Sequence, residues 1–105
     1  MKIIISAAML AAFAVPLHAA DDAAVMDLAK KSGCLACHAI DKKMVGPAWQ
    51  DVGKKYAGVA GAEAQLVVAV KKGGKGNWGA IPMPPNATIK DADVQTLVKY
   101  ILALK

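Results

Sequence analysis

Arginine is absent from this chain, and all 13 of its basic residues are lysine. Positive charge therefore sits on flexible ammonium groups rather than on the forked guanidinium groups that grip phosphate in pairs. No aromatic-flanked basic motif accompanies those lysines, so nucleic acid is a poor partner class. Aromatic side chains are also scarce: Phe13, Trp49, Tyr56, Trp78 and Tyr100 are all there are. A short chain with so few large side chains builds a thin core and commonly leans on a cofactor, a metal or a disulfide. There are only two cysteines and two histidines in 105 residues. That leaves no second cysteine pair at zinc-finger spacing for a four-ligand structural zinc site. Alternating strand-like runs are missing too, which excludes the βαβ setting of a thioredoxin-type Cys-x-x-Cys. No internal repeat, low-complexity segment or linker divides the chain, which reads as one small domain.

The one long apolar run is N-terminal. Lys2 supplies a short positive region, Ile3 to Val15 is apolar apart from Ser6, and Pro16-Leu17-His18-Ala19-Ala20 precedes Asp21-Asp22. This pattern predicts a secretory signal peptide over residues 1–20, cut after Ala20, with a run too short to span a bilayer stably. The mature domain is then 21–105, exported to the periplasm. It keeps 12 lysines against 8 acidic residues, a formal charge of +4. Export also places both cysteines in an oxidising compartment.

What the chain does have is Cys34-Leu35-Ala36-Cys37-His38. Two cysteines with two residues between them and a histidine directly after form the attachment pattern for haem c. On a helical turn the two sulfurs, at i and i+3, point to one face. They can then form thioethers to both vinyl groups of one porphyrin, with His38 beneath the iron as axial ligand. A redox disulfide or a structural disulfide leaves His38 without a role.

Helical spacing organises the rest. Residues 23–32 favour a helix with Val25, Leu28 and Ala29 on its apolar stripe, ended by Gly33. Residues 39–47 read as loop, with Gly46-Pro47 a turn signal. Trp49, Val52 and Tyr56 mark a short helix closing near Gly58. Residues 62–72 make a third, with Leu66, Ala69 and Val70 on one face, Lys71 and Lys72 in the last turn, and Gly73-Gly74 as the stop. Val94, Leu97, Val98, Ile101 and Leu102 give the final helix a full apolar stripe, with either Thr88 or Asp91 as its cap.

Residues 73–86 read as a long irregular segment, uncommon in a compact domain unless it has a task. It carries Met83 between Pro82 and Pro84-Pro85, whose restricted backbones would hold the thioether in place. Met44 is only six residues after His38, too near to cross the porphyrin, and Met26 sits on a helix where packing explains it. Met83 is thus the expected second axial ligand, with adaptable core filler as the alternative reading. A thioether facing an imidazole closes the iron and favours its ferrous state, the chemistry of an electron carrier and not of an enzyme.

Cys34-Leu-Ala-Cys37-His38, Met44-Val-Gly-Pro47 and Trp78-Gly-Ala-Ile-Pro82-Met83-Pro84-Pro85-Asn86 together resemble a short bacterial class I c-type cytochrome. The resemblance is to the monohaem periplasmic carriers that include donors to nitrite reductase and terminal oxidases. It implies an all-α fold of four to five short helices wrapped around one covalent haem c, with His38 and Met83 as axial ligands. It also implies that Pro47 offers its carbonyl to His38, that Trp78 bonds a haem propionate and that Asn86 steadies the Met83 sulfur. Implied partners are redox proteins such as a nitrite reductase, a terminal oxidase or a quinol-oxidising complex, met by a monomer. Members often place an arginine near the propionates; this chain has Ala69 there. Two other classes compete: a gas-binding or catalytic haem protein in which Met83 is absent from the iron, and a haem-free thiol–disulfide oxidoreductase using Cys34 and Cys37.

Overall fold

The structure, a computed structural model, describes residues 18–104. The expected signal segment lies outside the described residues as far as residue 17, and its expected cut after Ala20 falls in the first turn of helix α1, His18–Lys31. Val25 and Ala29, four apart, turn inward on α1, with Met26 and Leu28 packed part-buried beside them. Asp27 and Lys31 pair at 2.8 Å on the solvent side. Ser32 donates to the Leu28 carbonyl, and Gly33, with φ 79°, ends the helix in the left-handed conformation that a Cβ disfavours.

A single 3-10 turn, Cys34–Ala36, follows directly. After an irregular stretch come α2, Trp49–Lys55, and α3, Ala62–Lys72. No side chain caps α2; its first two amides donate to the carbonyls of Ala39 and Ile40, both at 2.9 Å. Those bonds satisfy donors a helix start leaves open, and they fold the 39–48 loop back onto the helix.

The last helix, α4, Asp91–Ala103, packs against α1, α2 and α3. Val94, Leu97, Val98 and Ile101 are its buried face, as the stripe predicts, whereas Leu102 is part-buried. Neither expected cap performs that role. Lys90 holds the cap position without a side-chain bond, and the Asp91 carboxylate is drawn away to Lys71. Asp91 and Asp93 still place negative charge in the first turn, where the helix dipole favours it.

The stretch expected to be irregular contains a small antiparallel hairpin, β1 Gly74–Gly76 and β2 Gly79–Met83. Gly74 pairs with Met83 and Gly76 with Gly79, with a bulge between. A strand of Gly-Lys-Gly shows no alternation of apolar and polar residues, so no period announces it. The described fold is mostly helical, with this one hairpin added.

Fully burying one large aliphatic side chain contributes about 1.5–3 kcal/mol, and the α4 face supplies four in a small core. Leu97→Ala is expected to destabilise the haem-loaded protein by about 2–5 kcal/mol, measured by denaturant unfolding. A loss below about 1 kcal/mol would remove α4 from its central position.

Candidate functional site

The motif residues occupy one tight turn. The amides of Cys37 and His38 both donate to the Cys34 carbonyl, at 3.2 and 3.0 Å, and draw the two thiols and the imidazole into one patch of surface. Both thiols are free and part-buried. Burial pushes the Cys34 thiol above its ordinary range.

His38 is held from three sides. Its Nδ1 donates to the Pro47 carbonyl at 2.8 Å, in the arrangement expected from the resemblance. A carbonyl only accepts, so the proton is on Nδ1 and the Nε2 lone pair is left for a metal. Gly46 lies against the ring: a Cβ there would come within 2.5 Å of Cε1. The Gly46 amide donates to the Cys37 carbonyl at 2.8 Å, returning the loop to the motif. Behind the imidazole, Trp49 stacks at 6.1 Å between centroids, and Tyr100 of α4 meets Trp49 edge-on at 6.3 Å. Trp49 is only 3% exposed. Its place on a helix stripe predicts burial; its contact with His38 comes from the fold of the intervening loop.

His38 and Met83 both line a cavity of about 430 Å³, walled by Val52, Leu66, Val70, Val98 and Ile101, with Trp78 and Ile81 at the hairpin. A smaller adjoining cavity of about 310 Å³ adds Cys34 and Asn86 to Cys37, His38 and Met83. The structure thus gathers every predicted ligand and attachment residue around connected space. This donor set fits a haem: two thiols on one turn, an imidazole with its outer nitrogen satisfied, a thioether, and aliphatic walls. Ile81, 64% exposed, and Trp78 offer apolar surface that a flat porphyrin seated there would cover.

The other predicted residues, Trp78 and Asn86, line the same two cavities and have further partners. Trp78 is in the hairpin turn, with Lys55 Nζ 4.4 Å from its ring centroid and donating to the neighbouring Asn77 carbonyl at 2.8 Å. The Asn86 side-chain amide donates to the Ser32 carbonyl at 3.0 Å, tying the Met83 segment to the end of α1. Met26 is packed against the core and Met44 is exposed, away from any ligand role. Ala69 lines the larger cavity, as do Lys43 and Lys75.

Comparison with known proteins agrees with this geometry. The family model described as Cytochrome c matches residues 23–105. The chain is 59% identical over 78 residues to cytochrome c-551 of Pseudomonas aeruginosa, covering 74% of each. The crystal structure of Nitrosomonas europaea cytochrome c552 superposes with a TM-score of 0.74 at 49% identity, covering 76% of this chain and 99% of that one. A class 1 cytochrome from Sideroxydans lithotrophicus superposes with a TM-score of 0.65 at 31% identity, covering 79% and 95%.

Gly46→Ala is expected to cost the haem-loaded protein about 1–3 kcal/mol in denaturant unfolding, because the new methyl must displace the imidazole. Gly74→Ala, where a Cβ meets nothing within 4 Å, is expected to stay within about 1 kcal/mol of wild type. Equal effects at both positions would mean that Gly46 does not confine His38.

Proposed function

This chain belongs to the cytochrome c family, and from that premise we propose that it is a periplasmic one-electron shuttle whose iron is closed by His38 and Met83. Family membership carries the coarser statements: one covalently bound haem c, electron transfer rather than catalysis, and other redox proteins as partners. When bound, the haem supplies an iron that changes valence by one electron.

The protein's own residues attach, orient and shield. Cys34 and Cys37 would hold the haem as thioethers. His38 would coordinate through Nε2, its Nδ1–H committed to Pro47, which raises its strength as a ligand. Met83 would supply the softer thioether, favouring the reduced state. Trp78 would bond a propionate from the hairpin turn. Asn86 uses one amide hydrogen on Ser32 and keeps a second for the Met83 sulfur. The observation that carries the reading is the joint placement of His38, with its outer nitrogen satisfied, and Met83 on the same apolar cavity.

Residues 1–20 act as the signal that directs the chain to the periplasm and are removed. No described helix is long and apolar enough to cross a membrane. The carrier works as a monomer, meeting a quinol-oxidising complex as donor and a nitrite reductase or terminal oxidase as acceptor. Lys30, Lys31, Lys42, Lys43 and Lys75 are exposed, and Lys43 and Lys75 flank the cavity. They steer an acidic partner towards the haem edge, raising the encounter rate.

In the oxidised protein, expressed in a host able to attach haem c, the weak red charge-transfer band of a methionine–ferric bond is expected, and Met83→Ala abolishes it. Haem without that band in the wild type would instead support an open iron, with sensing or catalysis. Electron transfer to an acidic partner is expected to slow several-fold as ionic strength rises from about 0.01 to 0.15 M. A rate indifferent to salt would overturn the lysine docking.

A further inference from the structure

Met83 begins a limb, residues 83–90, that returns the chain from the hairpin to α4. Most of its attachments are near Met83 itself. Met83 pairs with Gly74, and Gly73, with φ 75°, packs so tightly on the limb that a Cβ would approach the Met83 carbonyl oxygen to 2.5 Å and the Pro85 nitrogen to 2.9 Å. The Asn86 amide donates to the Val70 carbonyl at 2.9 Å, satisfying an acceptor that the end of α3 leaves open.

At the far end Ile89 is buried in the core and the Lys90 carbonyl accepts from Asp93 and Val94 of α4, and one polar attachment ties this end to α3. Lys71, in the last turn of α3, donates through Nζ to the Ile89 carbonyl at 2.9 Å and to the Asp91 carboxylate at 2.5 Å. Its side chain is 27% exposed, so the ammonium is partly withdrawn from water where charge-assisted hydrogen bonds are strongest. Removing it leaves the Ile89 carbonyl without that donor and unties this end of the limb from α3, while the buried Ile89 side chain still holds it to the core. The other ion pair between α3 and α4, Glu63–Lys99, is at 3.9 Å with both partners exposed and holds no part of the limb.

We infer that Lys71 is a positioning residue for Met83: by fastening the far end of the limb to α3, it sets the fraction of molecules in which Met83 has withdrawn from the site. This rests on the reading of Met83 as an iron ligand. A limb whose far end is untied from α3 swings away more often than one tied there as well. An added ligand that needs the vacated position then binds in proportion to the open fraction.

The test is an imidazole titration of the oxidised, haem-loaded protein, with amide hydrogen exchange at Asn86 as a second readout. Lys71→Met keeps the aliphatic stem and is expected to bind imidazole about tenfold more tightly, with Asn86 exchange faster by a similar factor. Lys71→Arg, which keeps charge and donors, is expected to stay within about twofold of wild type. Lys99→Met, which breaks the other α3–α4 pair, is expected to do the same. Should Lys71→Met not fold, Asp91→Asn removes the carboxylate charge alone and is expected to tighten imidazole binding by about two- to threefold. Unchanged imidazole affinity in the folded Lys71 or Asp91 variant, or an equal change in Lys99→Met, overturns the inference. Failure of the underlying reading looks different: wild type and Met83→Ala would then bind imidazole equally.

Discussion

The hydrogen bond from His38 Nδ1 to the Pro47 carbonyl is the contact on which the site depends. A five-residue turn has no means of fixing an imidazole at its own end, because the ring pivots about two bonds beyond the backbone. Pro47 supplies the fixed point, and the chain is arranged to deliver it. Gly46 allows the loop to pass beside the ring, its amide returns to Cys37, and the Ala39 and Ile40 carbonyls seat the far side of the loop on α2. The same bond selects the tautomer, so geometry and donor chemistry are set together.

Around that point the helices divide two tasks. α4 gathers α1, α2 and α3 into a core of mostly small aliphatic side chains, with Trp49 and Tyr56 as its large members. Some of the same residues, Val52, Val98 and Ile101, also face the cavity. A core this thin has no separate interior; the wall of the cofactor site and the packing between helices are made of the same side chains. Apolar bulk absent from the sequence is thus apolar bulk that the haem provides, in keeping with the marginal surface-to-volume ratio of so short a chain.

Much of this is legible in the residues. Cys34, Cys37 and His38 announce themselves through a spacing that has a mechanical purpose, and the α4 stripe through a period that side-chain burial imposes. Met83 stands out through the prolines that flank it, and the fold brings it to the same cavity as His38. Other features depend on parts of the chain far away in sequence. The hairpin has too few side chains to carry a period. Lys71 reads from sequence as a charge suited to a helix end, and only the fold discloses that its ammonium reaches Ile89 and Asp91. Asp91 reads as a cap for the matching reason: local rules favour it there, and a partner twenty residues earlier takes it. Trp49 behind His38 belongs to the same class, a local pattern given its meaning by tertiary contact.

The arrangement in which the last helix holds the first three has a bearing on the order of events during biosynthesis. The attachment turn lies early in the chain, whereas α4, residues 91–103, is the last of the described elements. Without it, α1, α2 and α3 lack the surface that collects them, and the Asn86–Ser32 bond has to close a span of 54 residues. Contacts of such separation carry a loop-closure cost and form late. The turn that carries the two thiols is closed by bonds between near neighbours and needs none of those distant contacts to form.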